Sequence, residues 1–171
     1  MDGGFDTGPM RLREAWPITA ETTAATLHDA LAAMGARLIV QAAAQLARGE
    51  LREQPQPADG ATYARKISKD EARLDWSQGA EELARRIRGY NPVPIAWTEL
   101  DGQRIRIHAA TAEPGNASAE AGSVIEADDA GVRVACNGGL LNILQLQWPG
   151  GRILSAAEAA HGKKLADRRF H

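Results

Sequence analysis

Residues 95–110 read IAWTELDGQRIRIHAA, two runs of alternating apolar and polar residues joined by Asp101-Gly102. Asp-Gly between such runs is a strong hairpin signal, because the tight turn that suits twisted strands needs positive φ at both central residues. It predicts strands over Ile95 to Leu100 and Gln103 to Ala110. Shorter β-rich runs follow at Gly122 to Ala127, Val132 to Cys136 and Leu140 to Gln147, punctuated by Asp128–Gly131 and Asn137-Gly138-Gly139. Ser155 and Glu158 have the spacing of a capping box for a closing helix that runs to about Leu165.

Upstream of the hairpin, Ser77 is placed to cap a helix to about Arg88, with Leu83, Ala84 and Ile87 on its buried side and Gly89 after it. Tyr90-Asn91-Pro92-Val93-Pro94 must be extended or turned, because each proline disfavours helix in the preceding residue. One helix, about five short strands and a terminal helix make residues 77–171 a small domain, with an OB-like barrel as the leading candidate. In this reading Trp76, Tyr90 and Trp97 belong to its core, and Cys136 is a small buried apolar residue.

The N-terminal third has another character. MDGGFDTGPM (residues 1–10) is too rich in glycine to be helical and reads as a tight loop. It holds Asp2 and Asp6, either turn-forming residues of a tail or acids placed for chemistry. Met10, Leu12, Trp16 and Ile18 then alternate with polar residues as in a strand, which Pro17 confines to an edge or an end. Thr22 to Arg48 is helical in pattern. Gly35 is expected to end a first helix and Gly49 a second. A strand and two amphipathic helices cannot bury their own apolar faces, so residues 1–49 look like the end of a larger α/β domain. Residues 50–76 read as a linker, with Tyr63, Ile67, Leu74 and Trp76 as its apolar anchors. The whole is α+β.

Bulk composition narrows the function classes. The 171 residues carry a formal charge of −2, so any anionic partner must be held by local clustering. One cysteine excludes an internal disulfide framework and fits a reducing cytoplasm. The four histidines (His28, His108, His161 and His171) lack metal-ligand spacing, so no metal is expected. No run of about 18 apolar residues is seen, so no membrane partner is expected, and the chain is read as a monomer.

In this order, MDGGFDTGPM with PITAETTAATLHDAL, YARKISKDEARLDW and IRGYNPVPIAW resemble the C-terminal half of methionyl-tRNA formyltransferase over nearly the whole chain. The resemblance implies formyl transfer from 10-formyltetrahydrofolate to the amino group of initiator methionyl-tRNA, a step of translation initiation. It implies that Asp6 is a catalytic aspartate at the end of a Rossmann-like domain. A histidine and an asparagine share its work, positioning the proton that the amine sheds and the developing oxyanion. In the family those two residues and most of the folate site lie upstream. The chain therefore reads as N-terminally truncated and inactive alone. A sugar-nucleotide or other folate-dependent formyltransferase fragment, and a non-catalytic RNA-binding module, are the competing readings.

The resemblance makes residues 77–171 a tRNA-binding domain. Eleven basic and eleven acidic residues share that span, so only segregation can make a basic face. The candidates are Arg85, Arg86 and Arg88 on the first helix, Arg104 and Arg106 on one strand face, and Arg152, Lys163 and Lys164 late in the chain. Lys66 and Lys69 of the linker extend the track. The opposing reading is an ordinary solvated surface whose cations answer helix ends.

Overall fold

The computed structural model describes residues 7–57, 59–115, 118–162 and 165–171. Asp6, Lys163 and Lys164 lie outside the described residues. The chain divides into two compact units. One comprises residues 7–19 and 26–66 of those described, the other residues 20–25 and 67–171.

In the first unit the dominant element is one helix, α1 (Ala24–Ala47). It runs straight through Gly35, where a break was expected. A mid-helix glycine costs about 1 kcal/mol, and long alanine- and leucine-rich flanks absorb that without a terminator. The helix ends at Gly49, whose φ of 68° is the left-handed conformation of a Schellman motif. Gly49 N–H reaches Leu46 O at 3.0 Å and Glu50 N–H reaches Gln45 O at 2.9 Å, satisfying two carbonyls left open by the last turn. Of its residues only Met34 is buried, while Ile39, Val40 and Leu46 are about two-thirds exposed. Contrary to the composition-based expectation, α1 is long and apolar enough to cross a membrane, with a mean hydropathy of 1.4 over 18 residues.

The expected strand at Met10 to Ile18 is not formed. Met10 and Gln54 exchange a pair of backbone hydrogen bonds (2.8 and 2.9 Å), and the rest of the segment has no strand partner. Period-two patterning becomes a strand only where a neighbouring strand takes the backbone groups. Ion pairs tie this unit instead, Arg11 to Glu53 and Arg37 to Glu14, the latter at 2.6 Å. Two of the expected linker anchors fail: Tyr63 is fully exposed and Ile67 half exposed.

In the second unit, after a short 3-10 turn (Asp70–Ala72), come α2 (Ala80–Tyr90), β1 (Ala96–Leu100), β2 (Gln103–Glu113), β3 (Val124–Asp128), β4 (Gly131–Cys136), β5 (Gly139–Gln147), β6 (Ile153–Ser155) and α3 (Ala156–Gly162). The strands form one six-stranded antiparallel sheet in the order β1-β2-β5-β4-β3, with β6 on β5. Asp101 and Gly102 take φ of 51° and 74°, as the hairpin signal requires. The capping box also forms: Ser155 Oγ accepts from Glu158 N–H, and Glu158 Oε2 accepts from Ser155 N–H.

Ser77 does not cap α2. Gly79 is its N-cap, and Ser77 instead donates through N–H and Oγ to Asp75 Oδ1, which holds that carboxyl below the ordinary aspartate range. A serine two residues after an aspartate is captured by it before it can reach the helix start. Asn91-Pro92 and Val93-Pro94 are cis peptides, and Ile95 follows at φ 69°.

Apolar residues of β2, β4 and β5 turn inward: Ile105, Ile107, Val132, Val134, Leu141, Ile143 and Leu146 are fully buried in one core cluster with Leu83 and Ile87 of α2. Each such side chain contributes about 1.5–3 kcal/mol. Leu74 and Trp76 anchor the incoming chain, Trp76 stacking on Phe170 at 5.7 Å and donating Nε1–H to Thr98 Oγ1. The chain's last residues meet both outer strands. Val124 N–H donates to Arg168 O and Phe170 N–H to Gly122 O, while Glu99 and His171 exchange backbone bonds.

Candidate nucleic-acid interface

The hairpin's turn dictates which side chains meet on its outer face. With Leu100 opposite Gln103, Trp97 lies opposite Arg106 and diagonal to Arg104. The Arg104 guanidinium sits 3.8 Å from the centre of the Trp97 ring, and Arg73 covers the ring from 5.4 Å. Trp97 Nε1–H donates to Lys69 O at 3.0 Å, which locks the indole. Trp97 is thus buried, as a core assignment requires, but it packs beneath the arginines and apart from the main core cluster. Its neighbours Ala96 and Thr98 point inward, and strand alternation puts it under the arginines.

Arg104 and Arg106 also line a recess of about 250 Å3 with Gln147 and the turn Trp148-Pro149-Gly150. Gly150 at φ 69° and the bond from Gly151 N–H to Trp148 O shape that turn. Gln147 is fixed from two sides, donating Nε2–H to Gly151 O at 2.8 Å and placing Oε1 3.2 Å from His108 Nε2.

The other candidates are differently placed. Arg85 pairs with Glu82 at 2.8 Å, and Arg152 with Glu158 at 2.6 Å. That pairing holds the Glu158 carboxyl down to about 2. Arg86 turns toward the protein, donating to Glu71 O at 2.7 Å and lying over Tyr90. Arg88 opens onto a separate hollow with Asn91 and His108. Lys66 and Lys69 are exposed, Lys66 in the first unit. Among the described residues Arg88, Arg104, Arg106, Lys66 and Lys69 form no ion pair, whereas Arg133, Arg168 and Arg169 are each held by acids.

Sequence reasoning missed Arg73 and the Trp148–Gly150 turn. A signal for the Trp97–Arg104 stack was present, because a two-residue hairpin loop sets the register of every pair before it. Cys136 is buried, and burial pushes its thiol up to about 11, so it is no nucleophile at neutral pH. No group of three or more His, Cys, Asp or Glu is placed to hold a metal among the described residues.

The family described as formyl transferase, C-terminal domain, matches residues 66–164. The chain is 48% identical over 171 residues to a methionyl-tRNA formyltransferase of Janthinobacterium sp. (strain Marseille), covering 99% of this chain and 54% of that protein. It is 50% identical over 167 residues to the methionyl-tRNA formyltransferase of Burkholderia multivorans, covering 97% and 51%. The chain thus spans about half the length of the curated relatives it matches. In fold it is similar to the crystal structure of HypX from Aquifex aeolicus in complex with tetrahydrofolic acid. The TM-score is 0.68 at 16% identity, over 96% of this chain and 30% of that one.

Proposed function

Because this chain belongs to the formyl transferase C-terminal domain family, we propose that it is part of a methionyl-tRNA formyltransferase. The reaction is formyl transfer from 10-formyltetrahydrofolate to the amino group of initiator methionyl-tRNA. The carrying observation is the 48–50% identity to curated enzymes of that name, sustained over 97–99% of this chain. In this reading residues 1–49 complete a Rossmann-like catalytic domain, 50–76 link, and 77–171 bind tRNA. What supports the first assignment is α1, whose apolar surface needs a cover of protein. Asp29 and Arg37 within the helix argue for packing on protein over immersion in lipid.

The second unit is read as an OB-like barrel. Two features support closure: the C-terminal segment hydrogen-bonds both outer strands, and β2 shifts register on either side of Ala109, pairing with β1 from Gln103 to Ile107 and with β5 from Arg106 to Glu113. Asp6 remains the proposed catalytic residue. It would orient a histidine and stabilise its charge as the amine loses a proton, while an oxyanion donor holds the tetrahedral intermediate. In the family Asp6's two catalytic partners and most of the folate site belong to a part of the enzyme upstream of the half matched here. The expectation for the polypeptide of residues 1–171 is no activity by itself. Charged initiator tRNA and 10-formyltetrahydrofolate supplied to it should give no formyl-methionyl-tRNA, and measurable turnover would contradict this. Salt-dependent binding of the tRNA is expected all the same.

A further inference from the structure

We propose that the RNA backbone is held at one built site, the recess between Arg104, Arg106, Gln147 and the Trp148–Gly150 turn. Arg85 and Arg86 of α2 and Arg152 contribute little. This rests on the reading of the second unit as tRNA-binding and assigns where on it the phosphates sit.

Phosphate binding needs charge that remains available. The span 77–171 has as many acids as bases, so phosphate attraction depends on which cations are already spent. Arg85 and Arg152 are paired with Glu82 and Glu158, while Arg86 is part-buried and held in place by its bond to the Glu71 carbonyl. Arg104 and Arg106 are exposed and unpaired among the described residues. They stand two positions apart on one strand face, hence about 6.6–6.8 Å along it. The nearest acid across the hairpin, Glu99, lies 3.4 Å from Arg73, which partly answers its charge.

The recess is also pre-organised. Arg104 holds its guanidinium over an indole that is itself fixed by Lys69 O, so little side-chain entropy remains to be lost on binding. A stacked guanidinium keeps its edge N–H groups free for a phosphate oxygen, which lysine at the same place could not present in a plane. Gln147, clamped by Gly151 O and His108, supplies a fixed polar wall.

The test is binding of an initiator tRNA transcript to the full 171-residue chain between about 50 and 200 mM salt. Arg104→Gln/Arg106→Gln should bind at least tenfold more weakly and lower the log–log salt slope by about 2. Arg85→Gln/Arg152→Gln should bind within twofold of the parent with the slope unchanged. Arg104→Lys keeps the charge, so it should keep the slope while losing several-fold in affinity. Circular dichroism confirms that each variant is folded. If the parent binds and the Arg104/Arg106 variant binds equally well, this site is wrong and tRNA binding by the domain stands. If the parent shows no binding even at low salt, both fall.

Discussion

Helices α1 and α2 differ in what they are folded against. The 24 residues of α1 bury one side chain, and large apolar residues lie open along it. The 11 residues of α2 bury four, all directed at the sheet. Both helices have apolar residues at helical spacing. The lesson is that the pattern states which face seeks cover, while the cover itself comes from elsewhere. In the second unit it comes from six strands within the chain, and for α1 we propose that it comes from the rest of a catalytic domain.

Substitutions can break this contrast. Ile143→Ala, in the middle of β5, should cost about 2–5 kcal/mol of second-unit stability by opening a cavity, whereas Ile39→Ser on α1 should stay within about 0.5 kcal/mol. Urea unfolding of each variant measures both, and a comparable loss for Ile39→Ser would show that α1 is covered already.

The two units should also answer one glycine substitution with opposite signs. A Cβ at Gly122 collides with the Phe170 carbonyl, and φ there is 87°. Gly122→Ala should therefore lose at least about 1–3 kcal/mol and free the C-terminal segment to amide exchange. Gly35 has open space around it and no positive φ, so Gly35→Ala should gain about 0.5–1 kcal/mol of helix stability. Thermal melts of the two variants check both signs.

The smallest effect is one of pH. Glu158 has its carboxyl lowered from 4.5 to about 2, first by Arg152 and then by the Ser155 backbone. A depressed acid stabilises the fold above its unfolded value and loses that contribution as pH falls through its folded one. The start of α3 should therefore loosen between about pH 4.5 and pH 2, and Glu158→Gln should abolish that pH-dependent part in amide exchange.

Much of the second unit was legible. Asp101-Gly102, the strand-spaced runs and the Ser155–Glu158 box are local signals, each specifying a few adjacent dihedrals or one nearby bond, and each formed. Gly35 and Ser77 misled because a local preference worth about 1 kcal/mol yields to its context. In α1 the context is a long helix-forming flank, and at Ser77 it is the nearby Asp75. β6 was missed because its three residues make a strand only beside β5.

The residue order alone determined the hairpin register, and with it the cross-strand neighbours of Trp97, Arg104 and Arg106. It also carries the family to which this chain belongs. The tertiary structure decided which arginines remain available for a phosphate. Arg168 finds Asp101 and Arg133 finds Glu113 across 67 and 20 residues, distances over which no periodicity speaks. Charge pairing is settled by proximity in space, and proximity exists only once the sheet has folded.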